Sequence, residues 1–143
     1  MRFLNILLFA SLLTTANADL LKKGDNIIKD TKTGFLWQNT QDVKTKKLNF
    51  KEAVAYCKEL TLDGEKNWKL PGFLELFSIV NTKEYNPSIS KEFTYFVPDN
   101  YWTTKTFGNA TSGEAFVISF LHGAFNREKM ESKFNVRCYK KVN

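Results

Sequence analysis

The sequence has few of the residues on which most metal sites and nucleophilic active sites depend. Its 143 residues include one histidine and two cysteines, too few for a Cys/His metal cluster or a catalytic cluster of that type. Three prolines and seven glycines exclude a collagen-like or low-complexity chain. The composition therefore indicates a protein that is not an enzyme, and we expect no cofactor and no metal.

Apolar and basic side chains, by contrast, are abundant. Hydrophobic residues make up 43% of the chain and aromatic residues 15%, which suffices for the core of one globular domain. Lysine and arginine number 21 against 15 acidic residues, so the formal net charge is +6. A folded basic domain of this kind is expected to have anionic partners, if it has any.

The first 18 residues have the pattern of a secretory signal peptide. Arg2 provides the positive start, residues 3–13 form an apolar run, and residues 16–18 read Ala-Asn-Ala, a small-residue cleavage site. The run is shorter than the ~20 residues that span a bilayer, which disfavours a membrane anchor. We expect residues 1–18 to be removed and residues 19–143 to form a single periplasmic or secreted domain with no transmembrane segment.

Export changes the interpretation of the two cysteines. In an oxidising compartment an isolated pair far apart in sequence, such as Cys57 and Cys138, most often forms one disulfide. Closing so long a loop stabilises a fold by on the order of 4 kcal/mol. We expect a structural disulfide here. In a reducing compartment the same residues would be two free core thiols.

Hydrophobic periodicity predicts two helices and several strands. Residues 49–61 carry an apolar stripe at helical spacing, with Asn49 and Glu52 placed to form a capping box. A second, short helix follows Gly72. Strands are predicted in a hairpin over residues 26–39, then over 101–104, 115–120, 124–127 and 134–141, with a polar loop over 40–47. Two helices packed on a mostly antiparallel sheet make an α+β domain.

Six short motifs occur together in an order and spacing typical of one bacterial family. They are residues 30–38 (DTKTGFLWQ), 52–57 (EAVAYC), 68–71 (WKLP), 75–76 (EL), 101–104 (YWTT) and 136–138 (VRC). Over residues 26–141 the chain resembles the C-terminal domain of the Legionella collagen-like adhesin. The resemblance implies an exported domain with a C-type-lectin-like fold and no established catalytic activity. In the adhesin the domain trimerises on a collagen-like stalk and binds sulfated glycosaminoglycans. This sequence contains no Gly-X-Y stalk, so its oligomeric state stays open.

Positive charge is concentrated at the two ends of the expected mature chain. Residues 19–48 have a net charge of +3, residues 49–125 of −2, and residues 126–143 of +4. If the first hairpin and the last strand are neighbours in one sheet, these ends form a shared basic face. The candidate binding residues are Lys44, Lys46, Lys47, Arg127, Lys129, Lys133, Arg137, Lys140 and Lys141. Such a face could bind an anionic glycan, a surface polysaccharide or phospholipid head groups. The alternative is a lysine-rich solvated surface without a ligand.

Three further motifs carry less weight. His122 is expected to be a surface histidine rather than a base. Pro98-Asp99-Asn100 has a faint likeness to a lectin calcium loop, but calcium needs several more oxygen ligands, so an ordinary turn is expected. Residues 109–111 match the N-glycosylation pattern, which matters only in a host that glycosylates.

The aromatic residues divide into core and surface candidates. Trp37, Trp68 and Trp102 alternate with other apolar residues, so we expect them in the core. Tyr101 and Phe107, on strand and loop edges, are the better candidates for an exposed platform that stacks on sugar rings.

These observations support a leading function and two alternatives. The first is an exported, non-catalytic binding module for an anionic glycan or another polyanionic surface, with nucleic acid disfavoured by export. The second is a structural or assembly protein that docks onto another envelope protein. The third is an enzyme like the formylglycine-generating oxidases, which share C-type-lectin-like folds and need two reactive cysteines. Cysteines on a helix core stripe and a terminal strand suit a buried disulfide better.

Overall fold

The computed structural model describes residues 19–108 and 113–142. The predicted signal peptide and the glycosylation pattern at residues 109–111 lie outside the described residues. Within them the chain forms the predicted α+β fold, with one more short helix than expected. The strands are β1 (Leu20–Lys23), β2 (Ile27–Asp30), β3 (Phe35–Gln38), β4 (Lys47–Leu48), β5 (Asn100–Phe107), β6 (Glu114–Ser119), β7 (Phe125–Lys129), β8 (Phe134–Asn135) and β9 (Tyr139–Lys141). The helices are α1 (Asp42–Thr45), α2 (Phe50–Glu59) and α3 (Phe73–Phe77).

The strands form two mostly antiparallel sheets. The four-stranded sheet has the order β1-β2-β3-β9, and the five-stranded sheet has the order β4-β8-β5-β6-β7. Among the described strands, β5 and β8 run parallel where Tyr101 is paired with Asn135, and the other pairs are antiparallel. Because β3 is paired with β9, the first hairpin and the last of these strands are neighbours in one sheet, which is the condition for a basic face shared by the two ends.

Local sequence explains the turn between β2 and β3 and the start of α2. Gly34 adopts φ +75° in the turn between β2 and β3, a conformation that glycine reaches without steric cost. At the start of α2 the Asn49 side chain accepts the Glu52 N–H at 2.9 Å, and the Glu52 carboxylate accepts the Asn49 N–H at 3.0 Å. This capping box confirms the predicted helix start.

Two segments differ from the sequence prediction. The predicted loop over residues 40–47 contains the one-turn helix α1 and the first residue of β4. The predicted strand over residues 134–141 is two short strands, β8 and β9, which belong to different sheets. The chain passes from one sheet to the other at residues 136–138, so no single strand continues through them.

The core consists of two hydrophobic clusters that share the strands of the first hairpin. Ile27 is buried in one cluster, and its neighbour Ile28 is buried in the other. Successive side chains of a strand point to opposite faces, so the hairpin is covered on both sides. Trp37, Trp68 and Trp102 are at most 1% exposed, which confirms their predicted place in the core.

A disulfide joins α2 to the end of the chain. Cys57 and Cys138 are bonded, with their Cα atoms 5.4 Å apart and a sequence separation of 81 residues. Both are fully buried, and the bond confirms the predicted pairing. Cys138 lies where the chain passes between the sheets, so the disulfide ties that crossing to the helix. No helix within residues 19–108 and 113–142 is long and apolar enough to span a membrane.

Candidate functional site

The structure distributes the nine candidate basic residues over several parts of the fold. The first group lies on or near α1, β4 and β8, the second on β7, and the third on or just before β9. Because β4 and β7 are the two outer strands of the five-stranded sheet, and β9 is an outer strand of the other sheet, the groups have different surroundings. In this order they are Lys44, Lys46, Lys47 and Lys133; Arg127 and Lys129; and Arg137, Lys140 and Lys141.

Arg137 is a core residue, which corrects its assignment to a basic surface. Its side chain is 0% exposed, and its guanidinium donates to the backbone carbonyls of Gln38 and Tyr95. The guanidinium also lies 4.6 Å from the centre of the Phe93 ring. Burial lowers the pKa of Arg137 to about 10, an effect that the nearby Tyr101 partly opposes. Arginine is rarely fully buried, which is why sequence reasoning placed it at the surface.

Lys47 is paired with the turn that has the faint likeness to a calcium loop. Its Nζ atom lies 2.7 Å from the Asp99 carboxylate. Burial raises the pKa of Asp99, but the hydrogen bonds from Lys47 and from the Asn100 N–H outweigh burial and lower it overall. Across the described ranges, no three His, Cys, Asp or Glu side chains form a group that could hold a metal ion. What the structure shows for Asp99 is an ion pair with Lys47.

Lys46 takes part in the contact between α1 and α2. Its Nζ atom lies 3.9 Å from the Asp42 carboxylate and 5.3 Å from the centre of the Tyr56 ring. The Tyr56 hydroxyl donates to Asp42 at 2.8 Å and accepts from the Gln38 amide at 2.9 Å. Burial, together with Asp42, raises the pKa of Tyr56. This network is structural, whereas Lys44 lies on the exposed side of α1.

A groove follows the outer edge of β9. Lys69 and Tyr139 exchange backbone hydrogen bonds at 2.8 and 2.9 Å, so the segment before α3 runs antiparallel to this strand. Residues directly opposite each other share a face, which places Lys69 beside Tyr139, and Lys141 follows on the same face. We define the β9 groove by the residues that enclose its volume of about 490 Å³, which are Asn67, Lys69, Tyr139, Lys140, Lys141 and Val142.

A second cavity adjoins the β9 groove. It has a volume of about 550 Å³ and shares Asn67, Lys69 and Tyr139 with the groove. Lys58 and Glu75 also line it, so its walls carry both signs of charge. The shared residues make the two cavities one extended depression on this side of the molecule.

Tyr139 forms the aromatic wall common to both cavities. Its ring centre lies 5.3 Å from that of Phe35, edge to face, and 5.5 Å from that of Trp37. Burial raises the pKa of the Tyr139 hydroxyl, and the negative charge of Glu75 raises it further. The hydroxyl therefore stays protonated at neutral pH, where it can donate a hydrogen bond to an anion or to a sugar hydroxyl.

Lys140, which lines the β9 groove, forms an ion pair with Glu65. Its Nζ atom lies 2.5 Å from one Glu65 carboxylate oxygen, and the Lys23 Nζ lies 2.6 Å from the other. Hydrogen bonds from Lys140 and Lys23, and their charges, lower the pKa of Glu65 to about 2. Two lysines around one carboxylate leave this cluster positively charged.

Sequence reasoning named Lys140 and Lys141 but missed Lys58 and Lys69. Trp68 and Leu70 are buried, and their alternation with Lys69 was a signal that this lysine points outward. The pairing of Lys69 with the end of the chain had no local signal, because it joins residues far apart in sequence.

One of the two aromatic residues expected at the surface is buried. Tyr101 is 0% exposed, and its hydroxyl donates to the Val97 carbonyl at 3.1 Å. It lies on β5, the central strand of its sheet, so the expectation is wrong for this residue. Phe107, near the end of the same strand, is 47% exposed. His122 is exposed, as expected, and its Nδ1 accepts the Ala124 N–H at 3.2 Å.

Fold and surface together define the class of this protein as a small, disulfide-linked α+β domain with a lysine-lined groove beside β9. A comparison with known families matches residues 26–140 to the Lcl C-terminal domain. This range covers most of the chain, so the protein belongs to the Lcl C-terminal domain family, as its motifs indicate. Membership associates the chain with a domain found in an adhesin. A comparison with curated proteins finds no match.

Proposed function

We propose that the protein is an exported, non-catalytic binding module that recognises an anionic glycan, or another polyanionic surface, through the β9 groove. The observation that carries this proposal is the position of Lys69 and Lys141 on the same face as the half-buried ring of Tyr139. Membership of a family associated with an adhesin supports the same role.

The groove has the chemistry that an anionic sugar chain requires. Lysine ammonium groups act as point charges for sulfate, phosphate or carboxylate. The Tyr139 hydroxyl and the Asn67 amide offer hydrogen bonds that fix the orientation of a sugar. Because the β9 groove and the adjoining cavity share residues, a ligand of several sugar units can occupy both. Lys58 adds positive charge in the adjoining cavity.

Two features support a non-catalytic role and a location outside the cytoplasm. Both cysteines of the sequence are joined in one buried disulfide, which leaves thiol chemistry without a nucleophile and favours an oxidising compartment. The ring of His122 accepts a backbone N–H in an exposed turn, which is the position of a turn residue rather than of a base in a cleft.

Retention on immobilised heparin tests the proposal. We expect retention to fall steeply as NaCl rises, because each contact between a lysine and an anion releases counterions and is screened by salt. The double variant Lys69→Gln/Lys141→Gln should elute at clearly lower salt than the unmodified protein. Lys83→Gln/Lys91→Gln removes the same charge from exposed lysines that do not line the groove, and this control should elute close to the unmodified protein.

Two results would contradict the proposal. If both double variants elute equally early, retention reports net charge and the β9 groove is not the site. If the unmodified protein is not retained at low salt and binds none of the anionic polysaccharides in a glycan array, polyanion recognition is itself wrong.

A further inference from the structure

The five-stranded sheet ends in an exposed outer strand, β7. This strand is paired with β6 on one side, and Phe125, Asn126, Arg127 and Lys129 are exposed. None of the strands within residues 19–108 and 113–142 is paired with its other side. An unpaired edge presents backbone donors and acceptors that a strand from another chain can extend.

Backbone hydrogen bonds show which groups of β7 face outward. The Ser119 N–H donates to the Ala124 carbonyl at 2.8 Å, so the backbone groups of Ala124 and of every second residue after it face β6. In an antiparallel ladder the groups of the intervening residues point the other way. The outward-facing groups therefore belong to Phe125, Arg127 and Lys129.

Side chains and the following turn set the limits of this edge. The Asn126 Oδ1 accepts the outward N–H of Arg127 at 2.9 Å, a contact that an added strand would displace. The Lys129 carbonyl accepts the Ser132 N–H at 3.0 Å, so the edge ends there. The open edge is thus about five residues long, the length of a short added strand.

An apolar groove lies against the same strand. Phe73 and Leu74 of α3, Phe116 of β6 and Phe125 of β7 line it, and its volume is about 530 Å³. The Phe73 ring centre lies 5.1 Å from that of Phe125 and 6.1 Å from that of Phe116. Leu74 is 78% exposed and Phe125 is 58% exposed. This clustered apolar surface is typical of an interaction site.

The charges on the edge determine which kind of strand fits it. Phe125, Arg127 and Lys129 alternate along β7, so their side chains share a face. A second copy of β7 aligned over the full strand would place Arg127 opposite the same residue, and like charges directly opposite are repulsive. Carboxylates opposite Arg127 and Lys129 would be attractive. Glu114 lies 3.9 Å from Arg127 on the neighbouring strand. Lys105 and Glu75 give the groove lining one charge of each sign, so the preference for acidic residues comes from Arg127 and Lys129.

We infer that β7 is the docking edge for an extended acidic peptide of a partner protein, which adds to the sheet as a sixth, antiparallel strand. The peptide carries acidic residues opposite Lys129 and Arg127 and an apolar residue opposite Phe125, whose side chain contacts the groove beside Leu74. These residues lie outside the β9 groove, so this inference and the proposed polyanion binding stand or fail separately.

A designed peptide tests the inference. A capped seven-residue peptide carries Glu at its second and fourth positions, Leu at its sixth and Thr elsewhere, and the control peptide has Lys in place of Glu. We expect the Glu peptide to bind at least about tenfold more tightly than the Lys peptide, a difference typical of reversed charge pairing. Binding should also slow hydrogen exchange of the outward amides of Phe125, Arg127 and Lys129, measured by NMR.

Two substitutions at Lys129 separate backbone pairing from charge. Lys129→Gln keeps the outward N–H, whereas Lys129→Pro removes it, and an edge strand tolerates proline where the N–H faces away from its partner. We expect Lys129→Pro to bind the Glu peptide up to about tenfold more weakly than Lys129→Gln, which is the loss of one backbone hydrogen bond. Unchanged melting temperatures would show that both variants keep the fold.

Several results would overturn the inference. They are equal binding of the two peptides, equal binding of the two Lys129 variants, and exchange protection that spares β7. Binding to phosphatidylcholine vesicles that contain phosphatidylglycerol, without binding of either peptide, would assign the groove to a lipid surface instead. Concentration-dependent self-association through β7 would assign it to a second copy. If Lys129→Pro does not fold, the exchange experiment on the unmodified protein decides alone.

Discussion

Two regions of this domain place an arginine over a phenylalanine ring with opposite consequences. In the exposed hairpin, the Arg127 guanidinium lies 3.9 Å from the centre of the Phe107 ring and 3.9 Å from the Glu114 carboxylate. In the core, the Arg137 guanidinium lies 4.6 Å from the Phe93 ring and is fully buried. The same residue type is a solvated charge in the first region and a structural hydrogen-bond donor in the second.

The buried region shows why a charge is tolerated in the core. Arg137 lies in the segment where the chain passes between the sheets, and it donates to carbonyls of Gln38 on β3 and Tyr95 in the irregular segment before β5. A planar guanidinium presents several donors in a fixed fork, which a lysine cannot imitate. Arg137 therefore joins the irregular segment to the sheet and contributes no charge to the surface.

The largest expected effect concerns the disulfide beside Arg137. Replacing Cys57 and Cys138 with alanine should lower the free energy of unfolding by about 4 kcal/mol, because the unfolded chain gains the freedom of an opened loop. Chemical denaturation measures the loss, and the unmodified protein treated with a reductant that opens the bond should show a similar one. A double variant as stable as the oxidised protein would contradict a stabilising role for this bond.

Next in size is the contrast between the two arginines themselves. Arg137→Ala should cost about 3 kcal/mol or more, because it leaves a cavity and two buried carbonyls without their donor. Arg127→Ala should change stability by about 0.5 kcal/mol or less, as is usual for exposed positions. Thermal unfolding of both variants gives the comparison. Equal losses would show that burial does not distinguish the two sites.

A smaller effect should separate the two contacts with aromatic rings. Double-mutant cycles with Arg→Met and Phe→Leu should give a coupling of about 2 kcal/mol for Arg137 with Phe93 and about 0.5 kcal/mol for Arg127 with Phe107, since desolvation strengthens such contacts. Unfolding free energies of the single and double variants provide both values. A coupling at the exposed pair that matches or exceeds the buried one would reverse this ranking.

The smallest effect concerns pH and the surface cluster around Glu65. Its pKa is lowered from 4.5 to about 2 by Lys140 and Lys23, so its stabilising contribution is complete above the unfolded value and disappears as pH falls toward 2. Because this ion-pair cluster lies at the surface, where water screens the charges, the effect is small. Melting temperatures of the unmodified protein and of Glu65→Gln should differ slightly at pH 7 and converge near pH 2. A difference that persists at pH 2 would assign the effect to packing.

Much of the fold follows from local patterns in the sequence. Three features were predictable from neighbouring residues or from the number of cysteines alone. They are the capping box of Asn49 and Glu52, the turn at Gly34 and the disulfide between the two cysteines. The alternation of buried and exposed residues around Trp68 follows from the strand period in the same way. The cap, the turn and the alternation depend on short-range sterics and hydrogen bonds, whereas the disulfide was predictable because the sequence has two cysteines.

The candidate site was predictable only in part. Lys140 and Lys141 were predicted because they are cations near the end of the chain. Lys69 lines the groove because it is paired with Tyr139, a residue far from it in sequence. Arg137 is not a surface residue, because its side chain points into the core where the chain crosses between the sheets. In each case the deciding factor is a contact between distant segments, which local pattern does not encode.

The amino-acid sequence by itself therefore determined the α+β class, the disulfide, the capped helix and the surplus of positive charge. The tertiary structure alone decided which of those charges face water, which one is buried, and which strands lie at the edges of the two sheets. The physical reason is that helix, turn and disulfide formation depend on residue identity and spacing, whereas the surroundings of a charge depend on how the two sheets are assembled around the core.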